Sequence, residues 1–199
     1  QGVHTYTGPT RVMAGVLELD GAASISSSTT LQIDAGAKMV ATNRIPTLHL
    51  VSGQTLKGEG TFEGGLIADS GSTVAPGASP GILNVSGNWQ LDAGSVFSVE
   101  LNGYLAGTDY DQLLFNNNTL TLNNPTLNIA LGFAPSYGDM FTIVSGLGAT
   151  AVGTFAGLPD GALVTNNFSG TDYVMEISYN DTAVDPNNDI TLTVVPEPA

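Results

Sequence analysis

The chain has 199 residues, of which 42% are hydrophobic and only 11% charged, and it carries a formal net charge of −14 at pH 7. This length is enough for one domain or two small domains with a buried core, and the low charge excludes the usual signature of intrinsic disorder. The acidity argues against nucleic acid as a partner, and the absence of cysteine excludes disulfides and thiolate metal sites.

Short apolar segments separated by Gly and Pro turns follow one another along the chain, and many alternate apolar with polar residues. This alternation is typical of half-buried β-strands. No 12-residue window has helical apolar spacing without a Gly or Pro interruption, so the sequence predicts an all-β fold with a loop at Ser145 to Val152. The predicted strands, in chain order, are Val12-Met13, Val16 to Leu19, Leu31 to Ile33, Leu48 to Val51, Leu66-Ile67, Thr73-Val74, Ile82 to Val85, Trp89 to Leu91, Val96 to Leu101, Gln112 to Phe115, Leu120 to Leu122, Leu127 to Leu131, Phe141 to Val144, Val174 to Ser178 and Ile190 to Val195.

The chain is predicted to have two parts. Residues 1–103 repeat short strands that end at Gly, which favours a β-solenoid (a parallel β-helix) in which each coil stacks on the next. Residues 104–199 have longer strands and loops and are predicted to be a C-terminal β region that caps the solenoid. A β-sandwich throughout is the alternative fold.

The charges are unevenly distributed between the two ends of the sequence. All four basic residues lie in residues 1–57, which have a net charge of +1, whereas residues 58–199 have a net charge of −15. This polarity suits head-to-tail association of copies, although acidity that merely keeps a protein soluble would give the same composition.

Two segments carry a resemblance to a known class of bacterial surface protein. HTYTGPTRVMAGVLELDG (4–21) resembles the autotransporter-associated β-strand repeat, whose pattern is T-Y-T-G-x-T-x-V-x-A-G-x-L-x-V-x-G. GSTVAPGASPGILNVSG (71–87), followed by TDYDQLLF (108–115), is similar to a second hallmark of such proteins.

The C-terminal sequence ITLTVVPEPA (190–199) is similar to the region that enters a PEP-CTERM sorting signal. The motif residues are Val195, Pro196, Glu197 and Pro198. In that signal a transmembrane helix and a basic cluster follow the motif, so we expect membrane contact only through an anchor beyond Ala199. The resemblance implies a surface or extracellular-matrix protein of a Gram-negative-type bacterium, linked to exopolysaccharide or biofilm, and it does not imply catalysis.

The sequence offers few candidates for catalysis. His4 and His49 are far apart, and period-two alternation turns His49 away from its apolar neighbours, towards solvent. No G-x-S-x-G nucleophile motif occurs. Asp109 and Asp111 are predicted to share one strand face, where they would form either a solvated strand edge or, less favoured, a Ca²⁺ or acid–base pair.

One acidic segment near the C-terminus is a candidate calcium site. Asp185, Asn187 and Asp189 have the alternate spacing of oxygen ligands in a Ca²⁺ loop, although Ile190 stands where an EF-hand needs Gly. Asx turns that form without a metal are the alternative. No other cofactor is expected.

The aromatic residues divide into predicted core and predicted surface. Trp89, Phe97, Phe115 and Phe141 lie in strand patterns and are expected in the core. Six tyrosines could stack on sugar rings, namely Tyr6, Tyr104, Tyr110, Tyr137, Tyr173 and Tyr179.

We therefore expect a non-catalytic structural protein of the cell surface that associates head to tail into a filament or matrix through strand pairing of a terminal segment. The alternative is a carbohydrate-binding adhesin module of a biofilm or exopolysaccharide matrix. A polysaccharide-degrading enzyme is the weakest hypothesis, because basic residues, which such sites use beside Ca²⁺, are confined to residues 1–57.

Overall fold

The computed structural model describes residues 7–43, 47–148, 151–179 and 189–197. Every regular element among these residues is a β-strand, which confirms the all-β prediction. The strands are β1 (Thr10–Val12), β2 (Val16–Glu18), β3 (Thr30–Ile33), β4 (Lys38–Val40), β5 (Leu48–Leu50), β6 (Thr55–Gly58), β7 (Thr61–Glu63), β8 (Leu66–Ala68), β9 (Thr73–Pro76), β10 (Ile82–Ser86), β11 (Trp89–Leu91), β12 (Val96–Leu101), β13 (Gln112–Asn118), β14 (Leu120–Asn123), β15 (Thr126–Leu131), β16 (Met140–Leu147), β17 (Val152–Thr154), β18 (Leu163–Phe168), β19 (Thr171–Ser178) and β20 (Ile190–Val195).

The strands form three sheets, and the chain visits the sheets in turn. The six-stranded sheet has the order β1-β3-β6-β9-β12-β15, and the five-stranded sheet has the order β17-β14-β11-β8-β5. The nine-stranded sheet has the order β18-β19-β20-β16-β13-β10-β7-β4-β2. We call one passage through the sheets a rung, from the first rung (β1 and β2) to the sixth (β15, β16 and β17), and we call the six rungs together the stack. Strands of successive rungs pair in parallel, as β3 does with β6 and β4 with β7.

The core runs along the inside of the stack, because each inward side chain lies on its counterpart in the next rung. In the six-stranded sheet the pairing register aligns Leu31, Leu56, Val74 and Phe97, all at most 1% exposed. The nine-stranded sheet aligns Met39, Phe62, Val85 and Phe115 in the same way. The Trp89 ring, from the five-stranded sheet, packs edge-to-face on Phe62 and Phe115 at centroid distances of 5.3 and 5.9 Å. With Phe141 also fully buried, the four core aromatics expected from the sequence are confirmed.

Sharp bends between strands require glycine where rungs touch through their backbones. Gly64, between β7 and β8, has φ +130, and a Cβ there would lie 2.8 Å from the carbonyl carbon of Ala41 in the rung below. No side chain fits this bend without displacing the lower rung.

The pairing changes direction after the sixth rung. Strands β16 and β20, β20 and β19, and β19 and β18 pair antiparallel, so the nine-stranded sheet extends past the other two. The parallel pairing itself continues across residue 103, since β12 pairs with β15. The division of the chain at residue 103 stays a prediction.

The predicted strands are found, with two kinds of difference. The expected loop at Ser145 to Val152 is wrong at both ends, because β16 continues to Leu147 and β17 begins at Val152. Strands β4, β6, β7, β17 and β18 lacked a recognisable pattern in the sequence, because each pairs only a few residues or is rich in Thr, Asn and Gly.

Candidate functional site: the two ends of the stack

The first rung leaves two strand edges without a neighbour in the described part of the chain. β1 is the outermost strand of the six-stranded sheet, and β2 is the outermost strand of the nine-stranded sheet. The Val12 carbonyl accepts a hydrogen bond from the Asp34 N–H (2.9 Å), so alternation turns the N–H and C=O of Arg11 away from β3. By the same alternation, the Leu19 N–H bonds the Val40 carbonyl (2.8 Å) and the backbone groups of Val16 and Glu18 face away from β4. We call this surface the open end.

The open end is also apolar. Met13 and Val16 are 69% and 63% exposed, among the most exposed large hydrophobic side chains of the described residues. A hollow of about 600 Å³ beside them is lined by Val12, Leu17 and Ile25, among others. Exposed apolar side chains next to free strand edges are a combination that soluble proteins usually avoid or use for association.

The basic residues near the open end are engaged within the stack. Arg11 forms an ion pair with Asp34 of the next rung at 2.8 Å, and Lys38 pairs with Glu63 of the next rung. His49 Nδ1 lies 2.8 Å from an oxygen of Asp69, again one rung further on. The expected exposure of His49 is confirmed, and these pairs tie successive rungs together along all three sheets.

The opposite end of the stack is closed by aromatic and apolar side chains, and we call it the closed end. Phe155 is fully buried and stacks on Phe97 with a centroid distance of 5.8 Å and an interplanar angle of 19°. The Tyr179 hydroxyl accepts a hydrogen bond from the Phe155 N–H (3.0 Å) and donates one to the Leu158 carbonyl (2.8 Å). Burial raises the pKa of Tyr179 from its ordinary value of 10.0 to about 12, so this hydroxyl remains a protonated donor even at pH values where an exposed tyrosine ionises.

A buried carboxylate clamps the turn of the APGASPG segment to the neighbouring rung. Asp111 is 3% exposed, and its two oxygens accept hydrogen bonds from the Gly81 N–H (2.9 Å) and the Glu100 N–H (2.8 Å). Desolvation by burial raises the pKa of Asp111 to about 6, with further raising by the charges of Glu100 and Glu59, against the lowering effect of the two N–H donors. A Cβ on Gly77 would collide with the Asp111 carboxylate, so the turn needs glycine there.

Asp109 and Asp111 do not share a strand face, so that prediction is wrong. Asp109 lies in a turn, where one of its oxygens accepts hydrogen bonds from the N–H groups of Tyr104 and Leu105, both at 3.2 Å. The two carboxylates therefore hold two different backbone turns. APGASPG and TDYDQLLF stood out in the sequence as neighbouring motifs, but nothing in their residues indicated that one clamps the other.

Of the candidate calcium ligands, Asp185 and Asn187 lie outside the described residues. Asp189 is buried, and its oxygens accept hydrogen bonds from the Ser145 hydroxyl (3.1 Å) and the Gly146 N–H (2.9 Å). Among the described residues, no group of three or more His, Cys, Asp or Glu side chains is arranged to hold a metal ion. The calcium hypothesis stays a prediction.

The sorting-motif residues and tyrosines are placed only in part. Val195 ends β20, Pro196 and Glu197 follow it in exposed positions, and Pro198 lies outside the described residues. Tyr104 and Tyr137 are 56% and 75% exposed. Tyr110 and Tyr179 belong to the core instead, while Tyr6 and His4 lie outside the described residues.

No family model matches the sequence, and no curated protein is significantly similar to it. The resemblance to autotransporter-associated repeats and to PEP-CTERM proteins stays a prediction. In the portion of the chain that the structure describes, no helix has the length and hydrophobicity needed to span a bilayer.

Proposed function

We propose that the chain is a β-solenoid closed by a C-terminal β region, and that it serves as a non-catalytic structural protein of the bacterial cell surface or extracellular matrix. The chain returns to the same sheet about every third strand, and strands of successive rungs pair in parallel through six rungs. This arrangement supports the solenoid. Surface residence, a Gram-negative-type host and a C-terminal anchor are part of the proposal and rest on the sequence motifs.

The proposed activity is association of copies through strand pairing at the open end. The observation that carries this proposal is that the outward backbone groups of Arg11, Val16 and Glu18 face no other strand among the described residues, beside the exposed side chains of Met13 and Val16. A second copy satisfies the outward N–H and C=O groups and covers the apolar side chains at once.

The proposed order is head to tail. The edge strands at the other end, β15 and β18, end the six-stranded and nine-stranded sheets, and each exposes one Thr, one Asn and one apolar residue, Ala130 in β15 and Leu163 in β18. The charge of +1 on residues 1–57 against −15 on residues 58–199 favours contact between unlike ends over contact between two closed ends. A head-to-tail contact that does not close makes a filament.

The experiment compares Arg11→Pro with Arg11→Ala. Both variants lose the ion pair with Asp34, but only proline also removes the outward N–H of β1, and proline is tolerated at strand edges. Light scattering and negative-stain microscopy should show filaments for the natural sequence and for Arg11→Ala, and monomers for Arg11→Pro. Discrete pairs instead of filaments would indicate that two open ends meet, and monomers in every case would refute the proposal.

A further inference from the structure

A groove on the flank of the stack is separate from both ends. It has a volume of about 510 Å³ and lies over β7, β10 and β13 of the nine-stranded sheet. A hollow of about 330 Å³ adjoins it, sharing Asn84 and Leu114, and is bounded on one side by Ala106, Gly107 and Thr108 of the loop that precedes β13. The outward side chains of three successive rungs therefore form one continuous concave surface.

The polar groups of this groove repeat at the spacing of the rungs. The pairing register places Thr61 beside Asn84, and Asn84 beside Leu114. It also places Glu63 beside Ser86. Neighbouring strands are about 4.8 Å apart, so polar groups of rungs three and four lie at that interval, and Leu114 continues the first row on rung five. A long ligand that lies along the stack can therefore meet polar groups on two rungs and an apolar side chain on the next.

The groove is polar but nearly neutral. Its lining offers the hydroxyls of Thr61 and Ser86 and the amides of Asn84 and Asn116. Among the described residues that line the 510 Å³ groove, Glu63 alone is ionisable, and it is paired with Lys38, while Glu59 lines the adjoining hollow. The Asn84 amide nitrogen donates to the Gly60 carbonyl (3.3 Å), which holds the side chain and leaves its oxygen as an acceptor. Hydroxyls and amides both donate and accept hydrogen bonds, as a sugar hydroxyl does.

Two further features favour a polyhydroxylated ligand over an anionic one. Leu114 and Ala106 supply apolar surface for the C–H faces of a sugar ring. The charge of −15 on residues 58–199 repels anionic polymers such as polyuronates. Since β7, β10 and β13 each pair with strands on both sides, the groups are held in place before any ligand arrives.

We propose that this groove binds a neutral polysaccharide that lies along the stack, across rungs three to five. The site does not depend on association at the open end, because none of its residues belongs to β1 or β2. The structural protein then holds copies together at one end and holds matrix glycan along its side.

The test is affinity electrophoresis in native gels that contain one soluble polymer each: dextran, laminarin, galactomannan or polygalacturonate. It is run in the Arg11→Pro background, so that filament formation does not alter mobility. We expect at least one neutral polymer to retard the protein and polygalacturonate to leave it unretarded. Asn84→Ala removes hydrogen bonds to the ligand and should weaken binding about tenfold, which corresponds to about 1.4 kcal/mol.

Two further variants keep the result interpretable. Ser86→Glu fills the groove and adds a charge beside Glu63, and should abolish retardation, while urea unfolding measured alongside should show that the variant still folds cooperatively. Gln90→Ala alters an outward residue of β11, on a different sheet, and should bind as the natural sequence does. The proposal is overturned if no neutral polymer retards the protein, if polygalacturonate alone does, or if all three variants bind equally.

Discussion

The open and closed ends of the stack solve the same physical problem in opposite ways. A stack of parallel strands exposes unpaired backbone groups and apolar side chains at each of its two ends. At the closed end the antiparallel strands β18, β19 and β20 extend one sheet, and Phe155 and Tyr179 cover the core. At the open end β1 and β2 each have a paired strand on one side only among the described residues, and Met13 and Val16 are exposed.

The difference indicates that termination of such a stack takes a dedicated sequence. The closed end uses long strands of six to eight residues, whereas β1 and β2 have three residues each. The short strands make the open end a weak edge on its own. We therefore expect a partner strand paired with β1 or β2 to stabilise the open end more than a side-chain substitution in these strands.

The largest expected contrast concerns apolar side chains at the two ends. Phe155→Ala removes a fully buried ring that stacks on Phe97, and should lower the free energy of unfolding by about 3–5 kcal/mol. Met13→Ala, at a side chain that is 69% exposed, should change it by less than about 0.5 kcal/mol. Urea unfolding of dilute protein measures both, and equal losses would remove the distinction between the ends.

A second contrast uses two glycines with nearly the same backbone conformation. Gly15, at the open end, has φ +74, and a Cβ there would meet only open space, so Gly15→Ala should cost about 1 kcal/mol. Gly146, in β16, has φ +71, but a Cβ there collides with the Phe115 carbonyl. Gly146→Ala should cost about 2–4 kcal/mol, since crowding adds to the conformational cost. If thermal unfolding shows equal shifts in melting temperature for the two variants, then a Cβ at Gly146 does not crowd the Phe115 carbonyl.

A third contrast is in the response to pH. The folded-state pKa of Asp111, about 6, lies above its ordinary value of 3.8, so the folded protein binds the proton more tightly than the unfolded chain. Asp111 therefore makes the protein more stable as pH falls through 6, by about 1 kcal/mol between pH 7 and pH 5. Asp111→Asn should remove this contribution from the stability profile. An unchanged profile between pH 7 and pH 5 would contradict the assigned burial of the charge.

A small effect on the free energy of unfolding is also expected for the exposed ion pair at the open end. Arg11 and Asp34 lie 2.8 Å apart, and the arginine side chain is 54% exposed. Asp34→Asn should cost less than about 1 kcal/mol, and the cost should shrink in high salt because the pair is screened by solvent. A larger, salt-independent loss would mean that the first rung is held more tightly than its exposure indicates.

The fold class could be predicted from the sequence because the alternation of apolar and polar residues is a local pattern. Leu31/Ile33 and Leu48/Leu50 show period two in the sequence, and each pair is buried in the structure. Strands such as β6 and β7 were missed because Thr, Lys and Gly form them only when a rung on either side supplies hydrogen bonds. The direction of pairing likewise follows from contacts between rungs, which no single strand encodes.

The candidate sites were harder to predict from the sequence. The role of Asp111 depends on Gly81 and Glu100, which are 30 and 11 residues away, so spacing within TDYDQLLF could not identify it. The two ends of the stack are defined by the strands that lie outermost in each sheet, and the flank groove is defined by the strands that lie side by side in the nine-stranded sheet. These are properties of the assembled sheets, and the sequence indicated only the acidic, low-charge surface on which they lie.

Amide hydrogen exchange of β1 and β2 as a function of protein concentration tests the central claim most directly. The outward N–H groups of Arg11, Val16 and Glu18 should exchange rapidly in dilute protein and become at least about tenfold more protected as copies associate. Amides of the buried strand β10 should be protected equally at all concentrations. Rapid exchange of the three outward amides in concentrated, associated protein would contradict association at the open end.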